Sequence, residues 1–482
     1  MKVKIVDVGS AKRITCNEAK KGDPYDLICI ERRIHEPIGA CYIASALAKA
    51  GHEVSVFSPD SEEISIQEIL ASQPEVVGFS ALTYNYQLTL RVAQALKCIR
   101  PEIITILGGY HATCLQREIS NESAFDFVVA REGDLAIVDL LECLKGRREW
   151  RNIRGEVYWK EGSCSNFQRL NPNTNPIPFR TKAMMTGRKR FDLAYPPPSQ
   201  QVAMALIVGS RGCDFGCKFC LSSEMFPASK YGTRTLYRDV GNIIKEIKLC
   251  QRDFGTNCLF FVDLNFYGGN LERIEYLCQE LAKLKIGWYA MSRIDANPVI
   301  FEHMKKGGCA MIGLGIESLT KSLKSGATTD IGIWQQQVHT TIAHLNDLGI
   351  LSKGYFILGD HGTTRKDLEA EKQAILELRC DIIRCSFMIY SPGSFEFCRL
   401  KVVEGFMTDN LDDFSTDGPV IKIPDMKAKE IVTFRKGIYR DFYAPERYHS
   451  QAEAMMQRFP HLRQSYMEYN EILASTLGEG FM

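Results

Sequence analysis

The chain of 482 residues lacks any run of ~18 consecutive apolar residues, the length a membrane-crossing helix requires, so no membrane span is expected. Its first 35 residues carry Lys2, Lys4, Lys12, Arg13, Lys20 and Lys21 without a continuous apolar stretch, unlike a secretory signal. An excess of either charge is also missing: 59 Lys plus Arg stand against 58 Asp plus Glu, a formal net of +1. Dedicated nucleic-acid binders depend on a basic surplus, so no nucleic-acid partner is expected. Cysteine, at 17 residues, is too sparse for a disulfide scaffold in a chain this long. A reduced, cytoplasmic setting is the better reading, with thiols free to bind metal. What is present is ordinary: 45% apolar and 24% charged residues, enough for a sizeable core. The length suggests about three domains.

The hydrophobic pattern divides the chain. Over residues 1–145, strand-like runs at 2–8, 53–57, 76–80, 103–107 and 127–129 alternate with helical spacing at 37–50, 87–99 and 135–144. Apolar strands alternating with amphipathic helices predict a doubly wound, Rossmann-like parallel sheet whose ligand sits beyond the carboxyl ends of its strands. Residues 146–200, with Pro172, Pro176, Pro178, Pro196-Pro197-Pro198 and the basic Gly187-Arg188-Lys189-Arg190, read as a linker or irregular arm. A second alternation fills 201–399, with strands at 202–208, 259–262, 287–291, 310–314, 353–358 and 382–388. Five helical stretches separate them, at 237–251, 271–285, 298–306, 334–348 and 364–378. Six strands with five crossovers predict a partial (β/α)6 barrel with its site at the carboxyl face. Residues 400–482 read as mainly helical and aromatic.

The first strand of the second series leads into Gly209-Ser210-Arg211-Gly212-Cys213-Asp214-Phe215-Gly216-Cys217-Lys218-Phe219-Cys220. Cys213, Cys217 and Cys220 have C-x3-C-x2-C spacing on a glycine-containing loop at the ligand end of a strand. Three thiolates this close can wrap one compact metal centre. Iron–sulfur clusters are normally held by four cysteines. A set of three leaves one iron open to a small molecule. Zinc would want four ligands, and the nearest histidine is far away in sequence; three incidental buried cysteines are the other reading. Cys380, Cys385 and Cys398 match no ligand spacing and are read as structural, like the remaining cysteines.

This loop, with Phe219 before the last cysteine, resembles the signature of the radical S-adenosylmethionine (radical SAM) enzymes. The likeness continues through Ser292-Arg293-Ile294-Asp295, Gly313-Leu314-Gly315-Ile316-Glu317-Ser318, Gly354–Gly359 and Ser391-Pro392-Gly393-Ser394. It implies a 4Fe-4S cluster on Cys213, Cys217 and Cys220, with SAM chelating the fourth iron and contacted by Phe219, Arg293 and Glu317. One-electron reduction by an external flavodoxin or ferredoxin type of partner would then cleave SAM to a hydrogen-abstracting radical.

The first domain is similar to the cobalamin-binding domain of one radical SAM subfamily, through Glu36-Pro37-Ile38-Gly39, Ala50–Val54, Val77–Ser80, Gly108–Thr113 and Arg131-Glu132-Gly133-Asp134. The resemblance implies cobalamin contacts from Ser80, Thr83, Gly108, Gly109, His111, Thr113 and Glu132. Asp-x-His-x-x-Gly, whose histidine ligates cobalt in other cobalamin methyltransferases and mutases, is absent. The combined resemblance implies a methyltransferase that moves a methyl group from SAM, through methylcobalamin, to an unactivated carbon or phosphorus of a small-molecule substrate. A non-methylating oxidative cyclase or ring-contracting enzyme is the alternative, and a non-catalytic cluster- or corrin-binding sensor a second one.

Overall fold

The computed structural model describes residues 1–8, 37–58, 64, 66–173, 176–180, 203–225, 235–294, 296–323, 328–460, 463–464 and 466–468. Cys16, Cys29, Glu36, the 187–190 and 196–198 stretches, the start of the strand expected at Val202, and Asp295 lie outside the described residues.

The first sheet begins with β1 (Lys2–Asp7), followed by α1 (Ile38–Lys49), β2 (Glu53–Phe57), the short α2 (Ile66–Leu70), β3 (Val76–Ser80), α3 (Tyr86–Ile99), β4 (Ile104–Gly108), the short α4 (Tyr110–Cys114) and α5 (Gln116–Ile119), β5 (Phe127–Ala130) and α6 (Gly133–Leu144). Strand order β2-β1-β3-β4-β5, all parallel, reverses direction between β1 and β3, a doubly wound switch point. Both faces are covered, and the alternation of a strand explains how. Val3 and Ile5 pack with Ala40, Ala44 and Leu47 of α1 and Ile137 and Leu140 of α6, while Val6 and Val8 pack with Leu90, Ala93 and Leu96 of α3.

Inside the stretch read as a linker, residues 146–180 carry a hairpin, β6 (Glu156–Trp159) and β7 (Gly162–Ser165). It extends the first sheet antiparallel to β5, with Ala130 opposite Glu156. The chain then crosses α1, where Phe179 N–H donates to the Cys41 carbonyl at 3.1 Å and Ser45 Oγ to the Ile177 carbonyl at 2.6 Å.

The second sheet contains β8 (Met204–Ile207), β11 (Cys258–Phe261), β12 (Gly287–Arg293), β13 (Cys309–Glu317), β14 (Leu351–Leu358) and β15 (Ile382–Phe387). The six strands are parallel and neighbour one another in chain order, as a partial barrel requires. A two-stranded ribbon, β9 (Ser210–Arg211) with β10 (Leu236–Tyr237), sits over β8. The crossovers begin after α7 (Ser222–Met225) and are α8 (Val240–Phe254), α9 (Leu271–Leu284), α10 (Val299–Lys306), α11 (Ile331–Leu348) and α12 (Arg365–Glu377). Helix α9 shows why they form: Asn270 caps it by accepting from Arg273 N–H at 3.0 Å, and Ile274, Leu277 and Leu281 bury one stripe.

The described part of the carboxyl-terminal region combines helices with irregular chain. Helix α13 (Phe395–Val402) is followed by an irregular stretch, 403–427, pinned by the bridges Phe406–Ile421 and Ile423–Met426. Then come α14 (Ala428–Phe442) and α15 (Pro445–Arg458). Helix α14 covers the open edge of the barrel: the hydroxyl of Tyr443 accepts from Ile383 N–H at 3.1 Å and that of Tyr439 from Cys385 N–H at 2.7 Å. Those donors on edge strand β15 would otherwise be orphaned in an apolar setting. Among the described residues no helix is long and apolar enough to cross a membrane.

Candidate active site

The loop after β8 is fixed before it reaches its cysteines. Asp263, just past β11, accepts from Gly209 N–H at 3.0 Å and from the Ser210 hydroxyl, and Arg273 donates to the Gly209 carbonyl at 2.8 Å. Burial raises the Asp263 pKa, and these donors oppose it. Gly212, at φ 96°, then turns the backbone through a conformation that a side chain disfavours. Asp214 accepts from Thr235 N–H at 3.1 Å, closing the loop against β10.

Cys213, Cys217 and Cys220 all line one cavity of about 530 Å³. Cys217 is buried and the other two half-buried; burial pushes the Cys213 thiol up, against the Phe215 N–H that stabilises its thiolate. Cys220 Sγ lies 3.1 Å from Ser222 Oγ. Among the described residues no three His, Cys, Asp or Glu side chains converge on a point where a single ion would sit. A cubane cluster does not ask for that, since each thiolate takes a different iron. Cys380 and Cys385 are buried, Cys398 is exposed, and none is among the cavity's described lining residues.

The rest of the cavity is built from the carboxyl ends of the barrel strands, including Asn265, Arg293, Gly313, Gly315, Glu317 and Tyr355. The Arg293 guanidinium stacks 3.7 Å over the Phe215 ring, so the cysteine loop itself orients it. Asn265 Oδ1 accepts from Ser292 Oγ at 3.2 Å and Arg293 N–H at 3.3 Å. Glu317 has φ 69°, unusual for a residue with a side chain. Here β13 carries one residue more than β14, Gly315 pairing with Tyr355 and Glu317 with Phe356. Gly313 leaves room for the hydrogen-bonded pair Tyr289–Tyr355, whose hydroxyls are 2.6 Å apart; a Cβ there would lie 2.6 Å from the Tyr355 ring. Polar atoms able to hold the amino, carboxylate and ribose groups of SAM are thus grouped beside the thiols.

The first sheet closes the cavity from the other side with Leu82, Thr83, Tyr84 and Tyr110, from the loops after β3 and β4. Both loops lie at the carboxyl edge of a doubly wound sheet, where such sheets hold nucleotide-like ligands. Thr83 Oγ1 is 3.3 Å from His111 Nδ1, and the imidazole stacks on Tyr86 at 4.2 Å. Burial lowers the His111 pKa to about 4, which keeps the ring neutral. Its buried Nε2 has no hydrogen-bond partner. Gly109, at φ 95°, lets the backbone press against Ala81, whose oxygen would be 2.6 Å from a Cβ.

Of the residues singled out in the sequence, Cys213, Cys217, Cys220, Phe219, Arg293, Glu317 and Thr83 meet at this cavity. Ser80, Gly108, Gly109, His111 and Thr113 stand behind it: Ser80 and Gly108 pair in the sheet, and Thr113 Oγ1 donates to the Gly109 carbonyl at 3.0 Å. Glu132 is engaged elsewhere, with Arg169 at 3.3 Å, Leu170 N–H at 3.1 Å and Arg211 at 3.7 Å. Tyr110, Asn265, Tyr355 and Tyr390 also line the cavity and were missed. For Asn265 a signal existed, since it follows β11 at the ligand face, whereas Tyr355 lies inside β14.

Two protein families match the chain, the B12 binding domain over residues 29–141 and the radical SAM superfamily over residues 207–374. The chain is 26% identical to the uncharacterized methyltransferase PH0819 of Pyrococcus horikoshii over 84% of its length and 87% of the relative's. It is 22% identical to the anaerobic magnesium-protoporphyrin IX monomethyl ester cyclase of Rubrivivax gelatinosus, over 84% of this chain and 73% of that one. Its fold is that of the radical S-adenosylmethionine methyltransferase TsrM of Kitasatospora setae, solved with cobalamin and a 4Fe-4S cluster bound: TM-score 0.60 at 15% identity, covering 90% of this chain and 82% of TsrM.

Proposed function

We propose that this chain, a cobalamin-binding radical SAM protein by its two matched domains, is a methyltransferase acting on an unactivated carbon or phosphorus of a small molecule. The observation that carries the reading is the shared cavity: thiols and SAM-suited groups of the barrel face Leu82, Thr83, Tyr84 and Tyr110 of the cobalamin-type sheet across one space. Cys213, Cys217 and Cys220 would hold the 4Fe-4S cluster; Phe219, Arg293 and Glu317 would contact SAM. Thr83 would meet cobalamin, backed by His111, with Ser80, Gly108, Gly109 and Thr113 shaping the loops behind. When bound, the cluster and SAM supply hydrogen-abstracting radical chemistry and cobalamin carries the methyl group.

The chain's own residues position and exclude water. Arg293 and Glu317 bring opposite charges to the SAM side. The wall beyond, with Ile357, Met388, Ile389, Pro392 and Phe414, is apolar and suits an uncharged part of the substrate. We assign residues 1–145 to cobalamin, 201–399 to the radical chemistry and 400–482 to substrate selection, with 146–200 joining them. A flavodoxin or ferredoxin type of protein in the cytoplasm would supply the electron.

Anaerobically reconstituted protein given methyl-labelled SAM, cobalamin and a candidate substrate tests the reading. Cobalamin-dependent label in product, with both S-adenosylhomocysteine and 5′-deoxyadenosine formed, supports it. A second reading, a non-methylating cyclase, is favoured by the Rubrivivax relative. Deoxyadenosine without S-adenosylhomocysteine would select that reading and remove methyl transfer.

A further inference from the structure

The turn Arg131-Glu132-Gly133-Asp134 reaches the cysteine loop from the first domain at both of its ends. Before the cysteines, Asp134 accepts both terminal nitrogens of Arg211, at 2.8 and 3.0 Å, and Glu132 lies 3.7 Å from the same guanidinium. Arg169, paired to Glu132, also donates to the Arg211 carbonyl at 3.1 Å, while the Arg211 guanidinium sits 5.0 Å over the ring of Tyr42. After the cysteines, Arg131 Nη1 donates to the Met225 carbonyl at 2.6 Å, its Nε held by Glu156 at 3.0 Å. The Arg131 backbone N–H is held in turn by Thr113 Oγ1 at 2.8 Å. Arg211 stands two residues before Cys213 and Met225 five after Cys220, so one four-residue turn brackets the thiols. Glu132 and Asp134 are 8% and 4% exposed, and a bidentate arginine–carboxylate pair fixes distance and plane together.

We propose that this turn is a latch between the domains, with Asp134 and Arg211 as positioning residues that set the cysteine loop against the cobalamin-type sheet. The proposal rests on the reading of that loop as the cluster site. It moves Glu132 from cofactor contact to latch. Losing either charge removes the bidentate partner of the other, which stays buried, so the two act as a unit.

The test uses full-length Asp134→Asn, Arg211→Gln, the double variant and Arg211→Lys. In cluster-free protein, hydrogen exchange of the 210–225 peptide and iodoacetamide alkylation of Cys213, Cys217 and Cys220 are followed by mass spectrometry. Each single variant is expected to raise both rates by at least about tenfold, with exchange in the 287–293 strand unchanged. The double variant is expected to be no worse than either single one, and Arg211→Lys to recover part of the protection. In reconstituted protein the same variants should alter the change that SAM makes to the EPR spectrum of the reduced cluster. Wild-type exchange and alkylation in both single variants would overturn the latch, as would equal loosening of the 287–293 strand. Wild-type protein that binds no iron while the variants still loosen the loop would remove the cluster reading and leave the latch standing.

Discussion

Glu317, on the cavity, and His111, behind it, show how single side chains are shaped by where they stand. Glu317 ends β13 in a left-handed backbone beside an extra residue, a costly conformation that the surrounding ladder must hold in place. Replacing Gly313 with Ala is expected to push the Tyr355 ring into the cavity and weaken SAM binding by about tenfold, read by equilibrium dialysis under anaerobic conditions. Each of Cys213→Ala, Cys217→Ala and Cys220→Ala should lose the iron taken up on reconstitution, measured as iron per chain; Cys398→Ala, exposed and off the cavity, should retain it. His111 has a folded pKa near 4 against an ordinary 6.5, so the unfolded chain takes up its proton first as pH falls. Its contribution is present above pH 6.5 and lost between 6.5 and 4, up to about 3 kcal/mol. Denaturant titrations across that range should show the slope in the wild type and its reduction in His111→Phe. The cysteine spacing was legible because the ligands sit in one loop. The pairing of Glu132 with Arg169 and Arg211 was not, because they reach it from segments 37 and 79 positions away in the sequence.

Strand β3, buried on both faces, was legible to the residue from its apolar run, and the half-buried edge strand β2 from its alternation. The hairpin β6–β7 escaped because β7 buries only Cys164 and offers no alternation to read. The irregular 403–427 stretch falls where the patterning reads as mainly helical, and its order comes from the bridges Phe406–Ile421 and Ile423–Met426. The segment holding α14 was legible as helical and aromatic, while the hydroxyl bonds of Tyr439 and Tyr443 to β15 depend on a barrel edge no sequence window contains. Tyr439→Phe and Tyr443→Phe each leave a buried N–H unpaired, a loss of about 1–3 kcal/mol in unfolding free energy. Loss in the double variant should approach the sum if the two donors act independently.

At the scale of the whole molecule, a buried charge set joins the crossing segment to the barrel and to the first domain. Glu246 of α8, fully buried, pairs with Arg180 at 2.7 Å and with Arg238, which also donates to the Tyr42 hydroxyl at 3.3 Å. Glu246→Gln would strand two buried cations and is expected to cost about 3–5 kcal/mol, seen as a lowered denaturation midpoint with the domains separating first.

The hairpin has one more consequence. Strand β6 runs back from Ala130, and β7 returns the chain to the same rim, with Ser165 beside Glu156. The carboxyl rim of the first sheet is thereby two strands longer than its parallel part. From that rim the chain runs on to Arg169, which meets Glu132 and the Arg211 carbonyl.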